Sequence, residues 1–177
     1  MRIAGKEINL RNLKKNDAIS LFTSANDKDI TRYTLLPYPY TLKDAKDFIE
    51  ITKRNTRLKK AFELGIELKE TKEIIGMNSL TNVDWKNKNA EIGYWLGKEY
   101  WGRGIMKEAI KLLLYFGFKK LKLERISATV LQPNLASAKL LEKSGFIYEG
   151  KLRRAILRRG KWYDQLCFGI LKTELRK

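Results

Sequence analysis

The sequence predicts one α+β domain over residues 1–177, and three observations lead there. Segments of period two recur along the whole chain, interleaved with segments of helical period. In the middle, Asn89 to Phe118 reads as strand, glycine loop and helix in immediate succession. No internal repeat, low-complexity tract or linker divides the 177 residues, a length that can bury a core without staples.

Taken in order, Ile8 to Leu13 alternates as a strand, and Asn16-Asp17 opens a helix carrying Ile19, Leu21 and Phe22. Ile30 to Tyr40 is expected to be a loop, because Pro37 and Pro39 interrupt a ladder or a helix. Thr41 with Asp44 is a capping box for a helix that turns Ala45, Phe48, Ile49 and Thr52 inward. Phe62 to Leu68 and Glu73 to Leu80 form a hairpin about the polar Lys69–Lys72 turn. In the central strand Ala90, Ile92, Tyr94 and Leu96 point one way, and Glu91, Gly93 and Trp95 the other. A loop from Lys98 to Gly104 follows, then a helix with Ile105, Ala109, Leu112 and Phe116 on its stripe. Arg125 to Val130 is a strand. Asn134 caps a helix with Leu135, Ala138 and Leu141 inward, stopped at Gly145. Phe146–Ala155 and Trp162–Leu171 close the chain as two strands about Arg158-Arg159-Gly160-Lys161.

Composition removes several chemistries. Histidine is absent and Cys167 is the only cysteine, so Ser–His and Cys–His catalysis and cysteine metal clusters are excluded by inventory, and no metal is expected. Cys167 reads as inert core. No apolar run approaches a membrane span, and MRIAGKEINL lacks the apolar core of a signal peptide. A cytoplasmic protein with no membrane partner is the expectation. The net charge of +17 supports two readings, attraction to polyanions such as RNA or adaptation to an unusual cytoplasm.

The glycine loop carries the chemistry. Gly102 and Gly104 let a ligand approach the backbone, and the N–H groups and dipole of the following helix face it. Lys107 breaks a GxGxxG pattern, and no Gly-Lys-Ser/Thr follows, so neither a dinucleotide fingerprint nor a P-loop is present. Glu99-Tyr100-Trp101-Gly102-Arg103-Gly104 resembles the Gln/Arg-x-x-Gly-x-Gly/Ala motif of the GNAT N-acetyltransferase superfamily, with Glu in the first position. INLRNLKKNDA, PYPYTLKDAKDFIE, AEIGYWLGKEYWGRGIMKEA and the Asn134–Gly150 stretch are similar to its RimJ/RimL branch, which acetylates ribosomal-protein N-termini.

That resemblance implies a mixed, twisted sheet with two parallel strands splayed apart, helices on both faces, and acetyl-CoA as co-substrate. The pantetheine arm would lie between Ala90–Leu96 and Arg125–Val130. A backbone N–H near Trp95 or Leu96 would hold the oxyanion, and Trp101, Gly102, Arg103, Gly104, Ile105 and Met106 would cradle the pyrophosphate. Glu91 falls where the family has a strand glutamate as base; pairing with a nearby lysine is the plain structural alternative. Asn134 matches a CoA-binding asparagine, or is simply an N-cap. Ser137 matches a serine that serves as acid or CoA contact, or is an exposed helix serine. The family's proton-donating tyrosine would fall at Leu141, and a second carboxylate near Ile156; both are missing here.

Tyr33, Tyr38 and Tyr40 could wall the acceptor site as part of a proline-stiffened loop, or pack over the core edge. Asp164 could hold an acceptor ammonium, or make a structural hydrogen bond. Lys151 to Lys161, the densest basic run, reads as an exposed turn suited to a ribosome or RNA, or as a solvated hairpin tip. Three acceptor classes stand: a protein N-terminus, a polyamine or aminoglycoside, and none, for a non-catalytic ribosome- or RNA-associated module. Monomer and homodimer are both open.

Overall fold

In the computed structural model, which describes residues 1–175, the period-two segments assemble into one mixed sheet of eight strands. These are β1 (Arg2–Ala4), β2 (Ile8–Arg11), β3 (Phe62–Leu68), β4 (Ile74–Asp84), β5 (Asn89–Leu96), β6 (Arg125–Leu131), β7 (Ile147–Arg158) and β8 (Lys161–Leu171). Their spatial order is β1-β2-β3-β4-β5-β6-β8-β7. Only β5 and β6 run parallel; every other neighbouring pair is antiparallel. A parallel pair needs a crossover, and α4 (Ile105–Tyr115) supplies it between β5 and β6.

Helices cover both faces. On one, α4 and α5 (Leu135–Lys143) pack a core containing Ile92, Leu96, Ala109, Leu113, Ile126, Leu141 and Phe168. On the other, α1 (Ala18–Ala25) and α3 (Leu42–Arg57) cover Ile74 and Met77, with Trp95 packed at the edge. The capping box at the start of α3 forms as expected, Thr41 and Asp44 each accepting the other's backbone N–H.

Four expectations are corrected. Part of the expected loop is helical: α2 (Lys28–Tyr33) is capped by Asp27, whose carboxylate accepts from the N–H of Asp29 and Ile30. In α1 the buried residues are Ala18, Leu21 and Ala25, which turns Ile19 to solvent at 69% exposure. The face of α4 is rotated so that Ile110 and Leu113 go under and Leu112 stays half-buried. In α5, Ala138 and Leu141 fill the inward positions and Leu135 is 60% exposed. The β7–β8 hairpin closes on two residues, Arg159 and Gly160, both at positive φ (49° and 74°) as a primed hairpin turn requires.

One buried ion cluster ties the sheet to the first helices. The Arg11 guanidinium spans Asp17, at 2.7 and 2.8 Å, and Glu67, which also accepts from Asn9 at 2.8 Å. Burial pushes both carboxyls up, but the bonds from Arg11 outweigh it and hold them below their ordinary 3.8 and 4.5. Their contribution is therefore full at neutral pH and is lost as pH falls below about 4. Replacing Arg11 by Met should cost about 3–5 kcal/mol at pH 7, because it strands buried charge. Denaturant unfolding at pH 7 and at about pH 3 checks this: the deficit should shrink at the lower pH. A loss under about 1 kcal/mol at pH 7 would contradict it.

Candidate active site

The parallel ladder between β5 and β6 is only three rungs long: Asn89 with Arg125, Ala90 with Ile126, and Glu91 with Ser127. Beyond Glu91, β5 stays paired to β4 and β6 stays paired to β8, but the two lose each other. The backbone groups on their facing edges then have no ladder partner, as no stable buried sheet would leave them. Trp95 and Leu96 lie in that unpaired run. Gly93, in its middle, has nothing within 4 Å of where a Cβ would stand.

The glycine loop sits at the open end of this gap. Gly104 is the N-cap of α4 at φ 79°, and Gly102 has φ 76°, conformations that other residues adopt at a cost. A Cβ on either would meet nothing within 4 Å. Backbone conformation and clearance for a ligand, not crowding within the protein, therefore call for these glycines. Gly104 offers no side chain to cap α4, so the first N–H groups of Ile105 and Met106 face the loop. The Trp101 indole N–H donates to the Leu96 carbonyl at 2.7 Å and fastens the loop to the end of β5. Exposed Arg103 lies over the Tyr100 ring at 5.6 Å. A gap lined by free backbone groups, ending on an uncapped helix, fits an extended arm that ends in an anion.

Glu91 sits at the last rung, facing away from α4. Its two carboxylate oxygens accept from Thr129 Oγ1 at 2.6 Å and Asn82 Nδ2 at 3.2 Å. Among the described residues no lysine pairs with it, so neutral donors replace the ion pair considered from sequence. Asn134 Oδ1 accepts from Ser137 N–H at 3.2 Å and caps α5, leaving its Nδ2 as a separate donor. Ser137 Oγ lies 2.8 Å from the Tyr94 hydroxyl, a contact sequence reasoning missed. Leu141 is fully buried core.

Helix α2 is tied to the rest of the fold at both ends. Asp29 on it pairs with Lys98 just past β5, and the carbonyls of Thr31 and Thr34 at its end accept from Arg158. With β6 and β8 between β5 and β7 in the sheet, α2 reaches from the end of β5 to the tip of the β7–β8 hairpin. Arg158 is therefore a structural tie and not a free basic residue of the turn. Tyr33 is half-buried and Tyr38 is exposed near this bar. Tyr40 is not part of the wall: it is 3% exposed in the second core, and burial pushes its phenol up to about 12. Asp164 accepts from the Arg154 N–H at 2.9 Å and pairs with Lys151 at 3.3 Å, and the Arg154 bond leads in holding it low. A depression of about 400 Å³ beside Asn26, Asp27, Gly97 and Lys98 adjoins this region. Another of about 260 Å³, between Leu13, Thr52 and Glu63, shares no residue with it. Cys167 is half-buried, opposite Thr129 on β6 and so on the face of Glu91 rather than in the core.

Fold and site together define a transferase that draws an acyl group from a CoA thioester. Residues 7–147 match the model of the acetyltransferase (GNAT) domain. The chain is 35% identical to the N-acetyltransferase p20 of Bacillus licheniformis over 170 residues, 96% of this chain and 95% of that one. It is 35% identical to the ribosomal-protein-serine acetyltransferase of Escherichia coli over 83 residues, 47% of this chain and 46% of that one. The solved microcin C7 self-immunity acetyltransferase MccE, in complex with acetyl-CoA and AMP, superposes with TM-score 0.86 at 29% identity, covering 94% of this chain and 93% of that one. A spermidine N-acetyltransferase of Vibrio cholerae shares the fold at TM-score 0.83 and 23% identity, over 97% of this chain and 99% of that one. The chain belongs to the GNAT acetyltransferase family and is an acetyl-CoA-dependent N-acetyltransferase.

Gly104→Val tests the loop. A β-branched residue at φ 79° is strained and fills the clearance, so acetyl-CoA binding should vanish by calorimetry while the far-UV spectrum is kept. Undiminished binding by the folded variant would remove the loop from the site.

Proposed function

We propose that the acceptor is the α-amine of a protein N-terminus, of the ribosomal-protein type, rather than a polyamine or an aminoglycoside. The observation that carries this reading is the charge around the mouth. Asp29 and Asp164 are already paired with lysines, whereas Arg32, Arg153, Arg154, Arg159 and Lys161 are exposed. A polycation meets a repulsive field there; a single ammonium followed by acidic or neutral residues does not. Glu91 is the acid in the gap that no cation neutralises, and one acid suits one ammonium.

Proton supply supports the same class. An α-amine with an ordinary pKa near 8 is about one-tenth free at pH 7, while an alkylamine near 10.4 is free in fewer than about one molecule in a thousand. A carboxylate relaying a proton through water is adequate for the first and poor for the second. In the step that follows, the free amine attacks the thioester carbonyl. A β5 N–H near Trp95 or Leu96 stabilises the oxyanion, the attached nitrogen gives up its remaining excess proton through water on the Glu91 side, and collapse breaks the C–S bond and releases the CoA thiolate. Tyr33 and Tyr38 flank the incoming chain beside α2. Arg153, Arg154 and Arg159 offer phosphate contacts if the acceptor is presented on a ribosome, which would place the protein in the cytoplasm.

Thiol-release assays with N-terminal peptides, spermidine and an aminoglycoside test the acceptor. Acidic peptides should exceed the polycations in kcat/KM by about 10² or more, an expectation set by two or more surface cations against a multivalent one. The reverse order would overturn the proposal. Glu91→Gln should lower kcat/KM about 10²-fold at pH 7, and less as pH approaches the amine's own pKa. A deficit constant with pH would make Glu91 positional.

A further inference from the structure

Tyr94 stands on β5 three residues past the last parallel rung, so its ring rises from the part of the strand that has left β6. It packs against the core under α4 and α5, and its hydroxyl reaches the first turn of α5. There it lies 2.8 Å from Ser137 Oγ and 3.5 Å from the Ser137 carbonyl. Ser137 is itself held by the Asn134 cap. The strand beyond the splay and the helix behind it therefore meet through one pair of hydroxyls. Ala138 and Leu141 seat α5 on the core beside this contact.

Given the acetyl-CoA reading of the gap, on which this rests, we propose that Tyr94 is a positioning residue for Ser137 in the departure of the thiolate. A phenol is the stronger donor and weaker acceptor of the two hydroxyls, so Tyr94 donates and Ser137 Oγ accepts. That leaves the serine's own hydrogen free to point into the gap and donate to the sulfur. When the C–S bond breaks, its electron pair goes to sulfur, and the anion is met by an oriented O–H. No proton leaves the phenol. Burial, outweighing the bond to Ser137, pushes the Tyr94 hydroxyl up to about 12, while a thiol sits near 8.5. Full transfer would run uphill by more than about 10³, so the pair works as a hydrogen-bond relay. The thiolate leaves as an anion and takes its proton from solvent. The acceptor's ammonium proton departs separately, on the Glu91 side.

Tyr94→Phe removes only the hydroxyl. Calorimetry with acetyl-CoA should give a Kd within about twofold of wild type, since the ring and the Asn134 cap remain. Turnover at saturating acetyl-CoA should fall about tenfold, with KM for acetyl-CoA unchanged, because the interaction is made as charge develops. Ser137→Ala should lose as much, and the double variant no more than either, because the two act as one unit. Wild-type kcat in Tyr94→Phe would overturn the proposal while leaving the acetyl-CoA site standing. Losses that multiply in the double variant, or a Kd weakened tenfold with unchanged kcat, would equally overturn it. Absence of acetyl-CoA binding by the wild-type protein would instead sink the reading of the gap, and the relay with it.

Discussion

Three rungs of parallel pairing between β5 and β6, and the loss of the fourth, set the layout of everything else. A parallel pair obliges the chain to cross over, and the crossing brings the uncapped start of α4 to the open end of the gap. The same divergence exposes the edge of β5 at Trp95 and Leu96, and frees β6 to continue into the Asn134 cap of α5. Antiparallel neighbours on both outer sides keep each strand hydrogen-bonded while the pair opens. Because side chains on β5 alternate, Glu91 and Tyr94 serve opposite faces of one gap. The acceptor chemistry proposed for Glu91 and the leaving-group chemistry proposed for Tyr94 are thereby separated by the thickness of a strand.

Charge is arranged by burial. Arg11 is enclosed with Asp17 and Glu67, and Arg125 makes two bonds to Glu149 across Gly169. A Cβ at Gly169 would come within 2.5 Å of both partners, so that glycine serves a salt bridge rather than a turn. Arg158 is spent on the carbonyls that end α2. The rest of the +17 lies largely on exposed side chains, and the acids at the mouth of the gap are mostly neutralised by their own neighbours. Desolvated charge at Arg11 ties the sheet to the first helices, whereas the Arg125–Glu149 pair and most of the remaining charge stay solvated.

What was legible in the sequence was local. The Gly102–Gly104 loop, the Thr41–Asp44 box, the Asn134 cap and the alternation of β5 all depend on spacings of a few residues, and each is present. The splay followed from the resemblance rather than from any period, because a ladder's end has no sequence signature. Locally, the Asp27 cap of α2 and the exposed faces at Ile19 and Leu135 escaped the reading; at the site the misses are contacts at long separation. Thr129 reaches Glu91 across 38 positions, Tyr94 reaches Ser137 across 43, and Arg158 reaches Thr31 across 127. By alternation alone Tyr94 is one more inward residue of a strand, and by composition alone Arg158 is one more charge in a basic run. Tyr40 differed from its two neighbours for a simpler reason: Pro39 ends the loop, and the chain dives into the core ahead of α3.

Amide hydrogen exchange with and without saturating acetyl-CoA tests the central claim, that the unpaired edge of β5 and the start of α4 are where the thioester binds. Protection should rise at Ile92, Tyr94 and Leu96, whose N–H groups turn away from β4, and at Gly102–Met106, and stay unchanged in the β7–β8 hairpin. Saturation without added protection in either segment would contradict it.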